Sequence, residues 1–124
     1  MNQMERVREK ILKIQIINKE DIVRYELYAI FTTIILSKEL LHKNKDVVNF
    51  LSKFDIIIKP YMGKNRTAML SKTLREINKA EYENLNNYKK ILGAIFLIEK
   101  SEKKTTKSNN YMEDLLNRYS REKR

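Results

Sequence analysis

The chain has 124 residues and a formal net charge of +10, enough for one domain with a real core and a strong attraction for anions. Its 2 glycines and 1 proline supply too little turn chemistry for an all-β fold, and the absence of cysteine excludes disulfides, thiolate nucleophiles and cysteine zinc sites together. The longest apolar stretches, "LYAIFTTIIL" and "ILGAIFLI", fall short of the ~20 residues a membrane span needs and read as core; no helix pairs a strong basic face with the exposed bulky apolar face of a surface anchor, so no membrane role is expected.

Met4, Val7, Ile11, Ile14 and Ile17 recur at spacings of three and four, which predicts an amphipathic helix over 3–17. The same N-terminus mixes acids and bases with apolar residues and lacks the clean run of a secretory signal, so a cytoplasmic location is expected. Asn18 followed by Asp21 resembles an N-cap with an acid in the first turn. A second helix is therefore expected over 19–43. Its middle, "YELYAIFTTIIL", is apolar nearly all round, the mark of a helix buried on several sides. Its end, "LLHKNK", sets His42 and lysines where a helix C-terminus favours cations.

Asn44 is positioned to cap a third helix with Val47, Val48, Phe50, Leu51 and Phe54 as its apolar positions. "DIIIKP" follows and reads as extended, because the residue before proline avoids the helical region. A helix over 66–78 comes next, then one over 79–102 with Tyr88, Ile91, Leu92, Ile95 and Ile98 on one face. Gly93 inside it costs up to roughly 1 kcal/mol relative to alanine, which suggests either close helix packing there or nothing in particular. Residues 102–110 are polar and aperiodic and are expected to be a linker. After them "YMEDLLNRYS" predicts a short last helix with a docking stripe of Met112, Leu115, Leu116 and Tyr119. The expectation is an all-α chain: a single compact domain of five or six helices around the buried helix 19–43.

Catalytic patterns fail on inspection. Gly63-Lys64 would need a glycine where Ile58 stands and Ser or Thr where Asn65 stands to make a phosphate-binding loop. Glu39 and His42 have the spacing of a di-iron ligand pair, but such sites need a second copy and His42 is the only histidine. Glu81 and Glu83 lie two apart, on different helix faces, and do not converge. The chain is expected to be no enzyme, with no cofactor and no metal.

What stands out is residues 59–79, "KPYMGKNRTAMLSKTLREINK", with six basic residues against the single acid Glu76. As a helix it would place Met69, Leu70, Leu74 and Ile77 on one side and Ala68, Lys72, Arg75 and Lys79 on the other. A solvated helix side in a +10 chain gives the same pattern, and an AT-rich coding bias toward Lys, Ile and Asn inflates the lysine content. Arginines at 66 and 75 are less ordinary, being suited to bidentate phosphate or guanine contacts. Lys64, Arg66, Lys72, Arg75 and Lys79 are therefore the expected nucleic-acid-binding residues, with DNA favoured over RNA as partner. Lys103, Lys104, Lys107, Arg118 and Arg121 would add a secondary patch on the phosphate backbone. The eleven-residue connection "DIIIKPYMGKN" is too long for a helix-turn-helix. The rival expectation is a helical interaction module, an inhibitor or immunity-type factor gripping an acidic protein. Tyr61 and Tyr82 fit either, and a homodimer is compatible with both.

Overall fold

The computed structural model describes residues 2–97, which are all-helical: five α-helices followed by a π-helical turn. α1, Gln3–Ile14, starts where the Asn2 side chain accepts the Glu5 amide at 2.8 Å. Val7, Ile11 and Ile14 form its buried stripe. It stops three residues earlier than its periodicity suggests, in a tighter turn whose Ile17 N–H bonds to the Ile14 carbonyl at 3.2 Å. Ile16 is turned out to solvent there, 81% exposed.

α2, Glu20–Leu36, is the expected central helix, with Val23, Leu27, Ile30, Phe31, Ile34 and Ile35 buried. Two of its boundaries differ from expectation. The N-cap is Lys19 rather than Asn18, and it makes no side-chain cap bond. The helix ends at Leu36, not 43, because Ser37 takes an extended backbone with φ −90° and ψ 112°. Its hydroxyl bonds the Gln3 side chain at 2.6 Å and accepts the Leu40 amide at 3.1 Å, so local hydrogen bonds replace the helical ladder.

α3, Asn44–Ser52, is capped one residue early. Asp46 Oδ2 accepts the Lys43 amide at 2.9 Å, so Asn44 is the first helical residue rather than the cap. Its C-terminus closes as a Schellman motif: Ile56 N–H bonds to Leu51 O at 3.1 Å and Asp55 N–H to Ser52 O at 3.1 Å. Asp55 occupies the left-handed position with φ 61°. Beyond it the expected extended segment alternates as a strand would, with Ile56 and Ile58 buried and Ile57 exposed.

α4, Arg66–Lys79, begins at Asn65, whose side chain accepts from the amides of Thr67 and Ala68. α5, Tyr82–Leu92, starts after extended Ala80 with Glu81 at its N-cap, three residues later than the expected start at 79. The helix widens to the π turn Gly93–Leu97, the last element among the described residues. The expected linker 102–110, the last helix and the C-terminal basic patch lie outside them.

α2 is flanked by α4, α1 and α5, which explains why it is apolar on so many sides. Phe31 sits at the middle of an aromatic cluster, its ring centroid 4.9 Å from that of Phe54 and 6.1 Å from that of Tyr88. Edge-to-face packing of this kind adds to burial itself. No described helix is long and apolar enough to cross a membrane.

Candidate nucleic-acid interface

Arg66 departs from its expected role. It is the first residue of α4, and its guanidinium points inward to the end of α2. Nη1 donates to Ile35 O at 2.9 Å and to Ser37 O at 3.4 Å, Nη2 donates to Leu41 O, and Nε donates to the Asn44 side chain at 3.1 Å. A guanidinium holding three carbonyls and an amide is a structural clamp, not a hand held out to a phosphate. Sequence alone does not show this, because an arginine at a helix start reads the same whether it faces in or out.

The rest of the stretch stays on the surface, with one rotation. The buried stripe of α4 is Met69, Thr73 and Ile77, and Leu70 and Leu74 lie half-buried on one flank. Thr73 is wholly buried and satisfies its hydroxyl by donating to Met69 O at 2.8 Å. Lys72 and Lys79 fall on the other flank and share Glu76, at 3.9 and 3.3 Å. Arg75 is exposed and makes no ion pair among the described residues. The flank is thus basic but partly neutralised by its one acid.

A denser basic surface forms at the N-terminal end of α4. Arg66 draws the turn 37–43 and the start of α3 onto that end. Val48 of α3 lies against Gly63, 3.6 Å from where a β-carbon would stand. Two loops distant in sequence are thereby made neighbours. One brings exposed Lys38, His42 and Lys43, continued by exposed Lys45 in the first turn of α3, and the other brings exposed Lys59 and Lys64, with Glu39 the one exposed acid in either loop. Tyr61, 72% exposed, stands between Lys59 and Lys64. Its loop is held by Met62 N–H to Lys59 O at 2.9 Å and Asn65 N–H to Met62 O at 3.1 Å, so the tyrosine is presented on an ordered backbone. None of these lysines has an ion pair among the described residues. Of the expected site residues, Lys64 belongs to this end and Lys72, Arg75 and Lys79 to the flank beyond it.

Other ionisable groups serve the core. Lys89 is buried and donates to Ile17 O at 2.9 Å, and loss of solvation holds its amine below the usual lysine range. Burial, then the carboxylates of Glu76 and Asp55, push the Tyr88 hydroxyl up. His42 and Glu39 are both exposed, and no group of three or more potential metal-ligating residues converges among the described residues. No family model, curated protein or solved structure matches the chain.

Proposed function

We propose that this is a non-catalytic cytoplasmic protein that binds nucleic acid, DNA before RNA, through the basic end of α4. Lys43, Lys45 and Lys64 contact phosphates, Tyr61 stacks or packs between them, and Arg75 and Lys79 extend the contact along α4. The observation that carries this reading is the joining, by the Arg66 clamp, of two lysine-bearing segments, one of which carries exposed Tyr61. Unpaired cations on ordered backbone release counterions from a polyanion without first being freed from protein partners. An aromatic side chain among them adds a stacking surface that tolerates any base.

The test is salt-dependent binding of the full chain to a short DNA duplex. Lys43, Lys45 and Lys64 changed together to glutamate should weaken binding well over tenfold. The salt slope should flatten by roughly 0.9 for each phosphate no longer neutralised. The matched control reverses Lys103, Lys104 and Lys107. Equal weakening in both proteins would reduce the attraction to a general field and sink the assignment. Absence of binding by the unaltered chain near physiological salt would sink it too, and would move the same surface to an acidic protein partner.

A further inference from the structure

The outer face of α2 has no covering among the described residues. Although the helix is apolar nearly all round, Tyr25 is 70% exposed, Leu36 50% and Ile22 42%. With half-buried Ala29, Thr32 and Thr33 they form one stripe at spacings of three and four, about 21 Å long at 1.5 Å per residue. The stripe is centred on Ala29: Ile22 stands seven residues before it and Leu36 seven after, Tyr25 four before and Thr33 four after. Its middle is small and its ends are bulky.

We infer that this face pairs with the same face of a second copy, antiparallel, with the two Ala29 residues at the centre. A face whose apolar ends are equidistant from a small centre is self-complementary under a twofold axis, as an isologous interface requires. Ile22 then meets Leu36 of the second copy, and the small centre lets the helices approach closely. Charge sets the direction. The N-terminal end of the face is edged by exposed Asp21, and its C-terminal end is followed by exposed Lys38, with exposed Glu39 after it. Glu26, on the α1 side, lines a pocket with Arg6, Lys10 and Lys13 of its own chain. Asp21 has no ion pair among the described residues; Glu20 is bound by Arg24 at 2.6 Å. Antiparallel pairing sets Asp21 near Lys38 of the second copy at both ends, whereas parallel pairing sets Asp21 against Asp21 and Lys38 against Lys38. One helix face is small beside the ~800 Å² per partner of a standard interface, so the pair is weak, on the order of micromolar.

If the nucleic-acid reading also holds, the arrangement extends it. α4 lies on the Tyr28 side of α2, where the Tyr28 hydroxyl bonds the Asn78 side chain at 3.0 Å, and the twofold leaves both copies of α4 on that side. The basic ends are then separated by on the order of 30 Å, close to the ~34 Å of one duplex turn.

Light scattering of the full chain over roughly 1–300 µM, the span of a weak interface, tests the pairing without nucleic acid. The mass should rise from 14.9 kDa toward twice that value. Ala29→Glu and Leu36→Lys, both on the outer face, should hold the chain at one copy with the melting curve little changed. Lys38→Glu should weaken pairing severalfold and Asp21→Lys in the same chain should restore it. A mass of 14.9 kDa at every concentration overturns the proposal and leaves the face to the C-terminal segment. Undiminished pairing in both face variants overturns it equally, and failure of the charge swap overturns the antiparallel direction.

Discussion

Arg24 and Arg66 clamp the ends of each other's helices. Arg24 of α2 donates through Nη1 to Ile77 O, Asn78 O and Ala80 O at the end of α4, at 2.7, 3.1 and 2.9 Å, while Arg66 of α4 holds the carbonyls at and beyond the end of α2. The last carbonyls of a helix have no partner of their own and carry its negative pole, so a cation there both satisfies and complements them. The exchange fixes α2 and α4 antiparallel. Lys89 on Ile17 O and Arg8 on Phe96 O repeat the device. Four cations of a strongly basic chain thus face carbonyls rather than a partner.

Arg66→Met, which keeps the stem and removes the donors, should destabilise the fold by about 2–4 kcal/mol. Arg66→Lys should recover little of that, since one ammonium cannot span carbonyls from Ile35 to Leu41. Urea denaturation is the measure. An unchanged midpoint for Arg66→Met would mean the guanidinium is free in solution and available to phosphate after all.

The central helix and the helix at 66–79 were legible because periodicity reports burial directly. Their ends were less so. "LLHKNK" continues the cation pattern of a helix C-terminus, yet the helix has already ended at Ser37, whose alternative bonds involve Gln3, 34 residues away. Thr73 was invisible as core because a threonine that donates to its own helix loses its polarity only in three dimensions. The basic end was missed for the same reason. The segments that carry Lys43, Lys45 and Lys64 are joined only through contacts such as Arg66 to Asn44, 22 residues apart.

Asp55→Gly should stabilise the chain. Asp55 holds the left-handed position of the Schellman motif at φ 61°, where a β-carbon costs energy and glycine has none. Glycine's extra freedom in the unfolded chain offsets part of the gain, leaving about 0.5–1 kcal/mol. A rise of several degrees in melting temperature is expected. A fall would show that the Asp55 side chain contributes more than the backbone strain removes.

Tyr88 should make the protein alkali-sensitive. Its hydroxyl titrates higher folded than unfolded, so above about pH 10 the unfolded chain releases a proton that the folded chain keeps. Stability from this group is complete below the unfolded value and falls as pH rises past it, by up to about 1.4 kcal/mol per pH unit, until the raised folded value is reached. Lys89 shifts in the opposite sense, so the informative quantity is the difference between the parent and Tyr88→Phe. That difference should be constant from pH 7 to about pH 9 and then move in favour of Tyr88→Phe. A difference that stays flat to about pH 11 would mean Tyr88 ionises as easily folded as unfolded.

Glu76→Gln should strengthen binding to duplex DNA if α4 lies along the phosphates. The carboxylate stands between Lys72 and Lys79 at 3.9 and 3.3 Å, holding both cations and repelling a phosphate that approaches them. Pairs this exposed contribute at most about 1 kcal/mol, so removing them should not endanger the fold. The substitution frees two lysines and takes away one repulsion. Affinity should rise roughly threefold to tenfold, and the salt slope should steepen as the freed lysines displace further counterions. Arg75→Gln, which removes a cation from the same flank without disturbing Glu76, should move affinity the other way. If neither change alters binding while reversal at Lys43, Lys45 and Lys64 abolishes it, nucleic acid meets the end of α4 alone. The flank of Lys72, Arg75 and Lys79 is then a solvated helix side.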